Sequence, residues 1–212
     1  MTSLLAERAV AVAIVEDKAT IREGISLLIE ATSGFRCSGS FGSMEQALAG
    51  IEEDPPDVVL VDLVLPGMSG VEGIRRLSAR HPELPLLVFT VYEDDDRVVE
   101  ALRSGACGCL SKQTPPQHLL ECLQAIAAGG AGSMPPDAAR QLLDWMNRSV
   151  PPPEVGAPSP REMQLLSLLA NGHNYETAAA ALGSSPGEVI RLAREVYRRL
   201  HACARADGVA EG

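Results

Sequence analysis

Residues 58–62 read Val-Val-Leu-Val-Asp, four consecutive aliphatic residues followed by a carboxylate. The run does not alternate with polar residues, which indicates a strand buried on both faces, as in a parallel sheet. Similar apolar runs lie on both sides of it, and patterns typical of helices separate them. The predicted strands are Ala11–Val15, Arg36–Phe41, Val58–Val61, Leu86–Phe89 and Gly108–Leu110, and the predicted helices cover residues 20–31, 43–53, 70–80, 94–104 and 115–128.

Five strand–helix units in this order predict a doubly wound α/β domain with a five-stranded parallel sheet of the flavodoxin-like type. We place this domain at residues 8–130. Several of its helices are predicted to start with a capping box, in which Ser or Thr is followed three residues later by Glu or Gln. These predicted helix starts are Thr20, Ser43 and Ser69.

The pattern changes after Gly130. Residues 131–158 are predicted to form a linker that contains a short helix, Asp137–Asn147. Residues 150–160, which span the end of this linker and the start of the next segment, are rich in proline, which favours an extended and semi-rigid chain. The linker therefore separates two units of different character.

Residues 159–212 show no strand pattern and predict a second, smaller all-α domain. A capping box at Ser159 opens its first helix, and Gly183 is expected to end its second. Ser185 starts a third helix, and a short fourth helix is expected after it. Helices joined by a turn that contains glycine are typical of a helix-turn-helix.

Composition limits the function classes. The chain has 212 residues, of which 46% are hydrophobic, so it can bury a core. Its formal net charge of −10 excludes a basic footprint for nucleic acid over the whole chain. The acidity lies in residues 1–130, whereas residues 158–212 hold equal numbers of basic and acidic side chains.

The longest early apolar run, Ala9–Val15, is too short to span a membrane. We therefore expect a cytoplasmic protein with no membrane partner. The five cysteines are an odd number without a Cys-x-x-Cys pair, so we expect small buried side chains rather than a disulfide or metal framework.

Charged and polar side chains follow the predicted strands at their carboxyl ends. Such ends meet at one edge of a parallel sheet, so we expect these side chains to form one pocket. Three carboxylates together repel each other and need a cation, and oxygen ligands suit Mg²⁺. The residues are Glu16 and Asp17 after the first strand, Asp62 after the third, Thr90 after the fourth and Lys112 after the fifth.

Asp62 is then a candidate nucleophile for phosphoryl transfer, with Lys112 and Thr90 placed to contact phosphoryl oxygens. The sequence contains neither Gly-x-x-x-x-Gly-Lys-Ser/Thr nor Gly-x-Gly-x-x-Gly. A bound nucleotide cofactor is therefore not indicated.

These motifs resemble known families. The segments 12–17, 59–70, 88–90 and 105–112 resemble the receiver domain of bacterial two-component response regulators. The C-terminal part, from Ser159 through Leu200, looks like the LuxR-type helix-turn-helix. Together they are similar to the NarL/FixJ subfamily.

The resemblance implies that a histidine kinase phosphorylates Asp62, and that Thr90 and Lys112 sense the phosphoryl oxygens. It implies a Mg²⁺ site formed by Glu16, Asp17, Asp62 and the backbone carbonyl of Val64. The protein would catalyse its own phosphorylation and dephosphorylation and would not be an enzyme for other substrates. It would bind DNA, as a homodimer when phosphorylated.

The receiver part departs from the family pattern at Cys109, where a Tyr or Phe is usual. A small thiol cannot report the same packing change, so we expect the coupling to the output domain to differ. Tyr92 is a candidate for partial substitution, although this position commonly holds a Tyr in the subfamily. Alternation along a strand would put Cys107 and Cys109 on the same side, which leaves a redox role open beside simple burial.

The output part departs at Glu188 and Ile190, where the family usually has Thr and Lys. Glu188 is interpreted as a capping residue, and it also places a negative charge near approaching phosphates. Arg191, Arg194 and Arg198 share one helix face by their spacing. They are the candidate DNA-binding residues, and a solvated polar face is the alternative.

Two functions follow. The first is a DNA-binding transcriptional regulator controlled by phosphorylation of Asp62. The alternative is a receiver-controlled signalling protein whose degenerate helix-turn-helix acts through protein–protein contacts. An Asp-dependent phosphatase on a related fold is disfavoured, because such enzymes resemble Asp-x-Asp at the nucleophile and Val64 occupies the second position.

Overall fold

The structure is a computed structural model that describes residues 8–91, 96–148 and 156–210, with side chains described as far as residue 203. Tyr92 lies outside the described residues. Within them the strands are β1 (Val10–Val15), β2 (Phe35–Phe41), β3 (Val58–Val61), β4 (Leu86–Thr90) and β5 (Ala106–Ser111). The helices are α1 (Ala19–Ala31), α2 (Met44–Gly50), α3 (Gly70–Arg80), α4 (Asp96–Ser104), α5 (Pro116–Ala127), α6 (Pro136–Arg148), α7 (Pro160–Ala170), α8 (Tyr175–Leu182) and α9 (Pro186–Ala210).

The five strands form one parallel sheet in the order β2-β1-β3-β4-β5, which confirms the predicted fold class. All four residues of β3 are buried, as its unbroken apolar run requires. The strand order reverses direction between β1 and β3. The carboxyl ends of these two strands therefore form the topological switch point, where ligands bind in open α/β sheets.

Alternate strand residues face two separate apolar layers. One layer contains Ile14 and Leu60 and is covered by α1 and α5. The other contains Val61 and continues without a break into α6, α7 and α9, where Leu165 and Val196 belong to the same cluster. The helical output domain therefore packs on one side of the receiver and shares its core.

The predicted helix starts are partly confirmed. Ser43 and Ser69 cap α2 and α3 by accepting hydrogen bonds from backbone amides three residues later. The prediction at Thr20 is wrong, because α1 begins at Ala19 and Lys18 is its N-cap. The Lys18 carbonyl accepts from two amides of the first turn and closes the helix start through the backbone alone.

In the output domain the full capping box at Ser159 and the stop at Gly183 are confirmed. Gly183 has a φ of 59°, the left-handed conformation that glycine adopts at helix ends. The expected fourth helix is wrong, because α9 runs unbroken to Ala210. No proline or glycine occurs between Gly187 and Gly208, so the sequence has no helix breaker there.

The expectation that Cys107 and Cys109 face the same side is also wrong. The pairing of β5 with β4 shifts register, so that Ala106 and Gly108 pair with consecutive residues of β4. This irregularity puts Cys107 against one apolar layer and Cys109 in the other.

All five cysteines are free thiols. Burial raises the pKa of Cys107 to about 12, so this thiol stays neutral and a poor nucleophile near pH 7. These observations favour simple burial over a redox pair. In the part of the chain that the structure describes, no helix is both long and apolar enough to cross a membrane.

Candidate functional site

Three carboxylates meet at the switch point. Glu16 and Asp17 follow β1, Asp62 follows β3, and the two strands pair in register up to their last residues. One oxygen from each carboxylate lies within 4.8 Å of the others. Glu16 is 1% exposed and Asp62 is 5% exposed, whereas Asp17 is exposed to solvent. The cluster is therefore a largely buried acidic pocket with one open side.

Lys112 supplies the positive charge of this pocket. It follows β5, and its side chain is only 6% exposed. Its Nζ donates to Asp62 Oδ2 at 2.8 Å and also pairs with Glu16 Oε2. Burial alone would lower the pKa of Lys112, but the hydrogen bonds to Asp62 and Glu16 outweigh it and raise that pKa. Lys112 therefore remains charged.

For Glu16, burial affects the pKa more strongly than hydrogen bonding does. Its burial raises the pKa, and the hydrogen bond with Lys112 opposes this rise without cancelling it. The three carboxylates of the pocket thus carry more negative charge than the single positive charge of Lys112 neutralises. Such a donor set of carboxylate oxygens, one of them facing solvent, suits a hard divalent cation that retains bound water.

Thr90 and Val64 frame Asp62. Thr90 ends β4, beside β3, and is 2% exposed. Its carbonyl accepts from the Lys112 amide at 2.8 Å, which ties the end of β5 to that of β4. The Val64 amide donates to Asp62 Oδ1 at 3.3 Å, while the Val64 side chain is 48% exposed. The structure thus places every predicted pocket residue at this edge of the sheet.

Sequence reasoning missed two residues that shape the pocket. Arg22 of α1 donates from one guanidinium nitrogen to the carbonyls of Glu16 (2.7 Å) and Asp17 (3.2 Å), and so fixes the loop that carries both acids. Gly70 packs directly on the Asp62 carbonyl, where any side chain would overlap it. The only sequence signal for Arg22 is its position one turn into the helix after the acidic pair.

The candidate DNA-binding residues lie on α9 and are exposed. Two of them, Arg194 and Arg198, line a cavity of about 1060 Å³ between the output domain and the receiver. The receiver wall of this cavity comes from loops at the amino ends of the strands. Its acidic lining residues are Glu52, Asp57 and Glu83. The predicted DNA face is therefore partly turned towards the receiver.

The two departures at the start of α9 have structural roles. Glu188 accepts from the Ser185 amide at 2.9 Å, and its own amide donates to Ser185 Oγ at 3.3 Å, so the capping interpretation is confirmed. Ile190 is half-buried and packs against the apolar core. Neither residue presents a cation where a DNA phosphate would approach.

A parallel α/β domain with an acidic pocket, a lysine and a threonine at its switch point, followed by a helix-turn-helix, defines a class of protein. It is the class of two-component response regulators. Residues 12–124 match the family described as the response regulator receiver domain. This chain belongs to that family, as the sequence motifs predict.

Two relatives are similar over nearly the whole chain. The nitrate/nitrite response regulator protein NarL of Escherichia coli is 31% identical, over 92% of this chain and 90% of its own length. The transcriptional regulatory protein YdfI of Bacillus subtilis is 29% identical, over 93% and 92% respectively. The chain is thus a response regulator of the transcription-regulator type.

Solved structures agree with this assignment. A LuxR-family two-component response regulator from Aurantimonas has a TM-score of 0.57 at 29% identity and covers 61% of this chain and 93% of its own. The RcsB response regulator of Salmonella typhimurium has a TM-score of 0.55 and covers 91% of this chain and 92% of its own. At 22% identity, the second likeness supports the fold alone.

Proposed function

We propose that a histidine kinase phosphorylates this protein on Asp62 and that phosphorylation controls the binding of its output domain to DNA. One observation carries the proposal. The Asp62 carboxylate is held by the Lys112 ammonium and the Val64 amide, between two further acids, in a chain that ends in a helix-turn-helix.

Mg²⁺ is the metal that fits the pocket. Glu16, Asp17 and Asp62 would hold it together with the carbonyl of Val64. These donors are all oxygens, and the exposed Asp17 leaves room for metal-bound water. When bound, the ion neutralises part of the charge of the carboxylates and of the incoming phosphoryl group.

The chain's own groups then perform the transfer. An Asp62 oxygen attacks phosphorus, a P–O bond forms, and the P–N bond to the kinase histidine breaks. The histidine leaves with the electron pair and takes up a proton. Lys112 balances the charge that arrives, and the Thr90 hydroxyl can donate to a phosphoryl oxygen. We propose no turnover of other substrates, because Val64 offers no acid–base group beside Asp62.

In this proposal α9 is the helix that binds DNA. In a helix-turn-helix the second, recognition helix enters the major groove, and here that helix is α9. Arg191, Arg194 and Arg198 would contact DNA once Arg194 and Arg198 leave the cavity against the receiver. Two or three phosphate contacts give weak binding, so we propose that phosphorylated chains bind as homodimers on adjacent half-sites.

The test of the receiver chemistry uses acetyl phosphate and intact-mass analysis. With Mg²⁺ present, the wild type should gain one phosphoryl group, and Asp62→Asn should gain none. Asp54→Asn is the matched control, because Asp54 is an exposed acid paired with Arg36 away from the pocket, and it should be phosphorylated normally. An adduct on Asp62→Asn, or equal labelling in EDTA, overturns the assignment.

A second candidate, an output domain that acts through protein contacts, is favoured by the capping role of Glu188 and the packing of Ile190. Neither Glu188 nor Ile190 supplies a cation to the start of α9, where Arg191 is the first cation. A mobility-shift assay of the phosphorylated chain on genomic fragments at low salt separates the two functions. Retarded fragments support DNA binding, and free DNA at every protein concentration favours protein contacts.

A further inference from the structure

The linker segment 131–134 lies along β5, the last strand of the sheet. The Gly132 amide donates to the Cys107 carbonyl at 2.8 Å, and the Cys109 amide donates to the Ser133 carbonyl at 2.8 Å. Ala131 and Met134 on either side are buried. The linker is therefore docked on the exposed edge of β5 through its backbone.

This docking depends on two glycines that touch. A Cβ on Gly132 would lie 2.9 Å from Gly108 Cα and 2.7 Å from Leu87 Cδ1, and a Cβ on Gly108 would overlap the Gly132 backbone. Both distances are shorter than side chains tolerate. The linker can reach β5 here only because neither residue has a side chain.

The Gly132 carbonyl, on the other side of this contact, accepts hydrogen bonds from two tyrosines of the output domain. Tyr175 of α8 donates at 2.7 Å and Tyr197 of α9 donates at 3.5 Å. Burial raises the pKa of both phenols, so both hydroxyls remain neutral donors. One linker carbonyl thus holds two helices of the output domain.

β5 also reaches the acidic pocket. Lys112 follows the last residue of β5 and contacts Asp62. Cys107, near the start of the strand, and Cys109, near its middle, hold the linker through their backbone groups. A second tie joins α9 to the same strand, because His201 Nε2 lies 3.2 Å from the Ala106 carbonyl. One strand therefore connects the pocket to the contacts that fix α9.

We propose that the Gly132 carbonyl is a latch: the hydroxyls of Tyr175 and Tyr197 hold the output helices on β5, and displacement of β5 releases them. The latch is a property of the unphosphorylated chain. Its release by phosphorylation rests on the proposed function of Asp62. Cys109 is buried and has a small side chain, so it cannot act as an aromatic side chain would at this position. The backbone contacts of β5 with the linker would connect the acidic pocket to the output domain instead.

The test measures hydrogen exchange of the Gly132 and Cys109 amides in the full-length chain. Tyr175→Phe and Tyr197→Phe keep the rings and remove one hydroxyl each. Exchange should rise roughly fivefold for Tyr175→Phe, from the usual net contribution of a hydrogen bond. The rise should be smaller for Tyr197→Phe, because its contact is longer, and largest in the double variant. Unchanged exchange in the double variant overturns the latch.

Thr177→Val is the matched control. It removes a hydroxyl of α8 that, among the described residues, bonds to Asn174 within the output domain. Exchange at Gly132 and Cys109 should equal that of the wild type. An increase as large as in the tyrosine variants would show general loosening of α8 and would also overturn the latch.

The release is tested on the same two amides after treatment with acetyl phosphate and Mg²⁺. Faster exchange in the wild type but not in Asp62→Asn supports release by phosphorylation. An Asp62 adduct without faster exchange overturns the release and leaves the proposed function intact. If no adduct forms, the proposed function fails instead, while the tyrosine variants still decide the latch.

Discussion

The two ends of the receiver's sheet differ in what they present. At the carboxyl end, Lys112 lies buried between Asp62 and Glu16. At the amino end, loops with scattered acids face Arg194 and Arg198 of α9 across an open cavity. The first end is a preorganised site with paired charges, and the second is an open cavity beside the apolar core that the two domains share.

The difference shows that the two regions are determined in different ways. The order of the strands determines the pocket, whereas the docking of the output domain determines the contact at the amino ends. Parallel strands bring their carboxyl ends together at one edge of the sheet, so the order of the strands places the pocket residues at that edge. The amino-end contact depends on how a separate helical domain packs, and a packed contact of this kind can be released. We therefore expect the chemistry of the pocket to be independent of how the output domain is docked.

The largest expected effect is on the free energy of unfolding, when one cation is removed from either end of the receiver's sheet. Lys112→Met should lower the free energy of unfolding by about 3 kcal/mol at neutral pH without metal, because it leaves two buried carboxylates unpaired. Arg194→Met, at the open cavity, should change it by less than about 1 kcal/mol. Urea unfolding measures both, and equal losses would mean that the two ends do not differ as described.

The next prediction concerns the pair that fixes α9 within its own domain. Glu162 is buried, and although burial alone would raise its pKa, hydrogen bonds from Ser159 and Arg199 lower it below the usual 4.5. A carboxyl whose pKa is lower in the folded than in the unfolded protein stabilises the fold at pH values above its unfolded-state pKa. This stabilisation is lost as the pH falls through the pKa of the folded state. Glu162→Gln should therefore lose about 2 kcal/mol at pH 7 and little in acid.

Unfolding curves of both proteins across the pH range measure this difference. Glu195→Gln is the control, because Glu195 pairs with Arg198 on the exposed side of the same helix. Its effect should be small at every pH. A loss in Glu162→Gln that stays constant into acid would show that charge is not the cause.

The sequence predicts the pocket at the carboxyl ends of the strands better than it predicts the contacts between the two domains. Glu16, Asp62 and Lys112 could be placed together because strand ends obey a topological rule. The opposite facing of Cys107 and Cys109 does not follow from regular alternation, and Gly108 between them is the local signal of the register shift. The contacts of Tyr175 and Tyr197 with Gly132 depend on the docking of two domains, which helix periodicity does not encode.

A smaller effect is expected at the start of α9. Ile190→Lys adds a cation and should steepen the slope of log K against log salt for DNA binding by about one unit. Arg191→Ala should make that slope shallower by about one unit. Ile190→Leu controls for packing, because Ile190 is half-buried, and should leave the slope unchanged. A slope that Ile190→Lys does not alter would place this part of α9 away from DNA.

The smallest effect is expected at Val64. Its exposed side chain offers no hydrogen bond to a water that attacks the aspartyl phosphate. Val64→Asn should speed loss of the phosphoryl group severalfold, whereas Val64→Ala should not. Decay of the isolated phosphorylated proteins, followed by intact mass, measures the rates. If the Asn variant decays no faster than the wild type, Val64 does not slow hydrolysis.

The central claim is that phosphorylation at the carboxyl end of the sheet controls the output domain docked against the receiver. The most direct measurement is the affinity of the full-length chain for DNA captured from the genome, before and after acetyl phosphate and Mg²⁺. Fluorescence anisotropy at fixed salt should show tighter binding by roughly tenfold after phosphorylation, and no change for Asp62→Asn. Equal affinity of the phosphorylated and unphosphorylated wild type would contradict the claim.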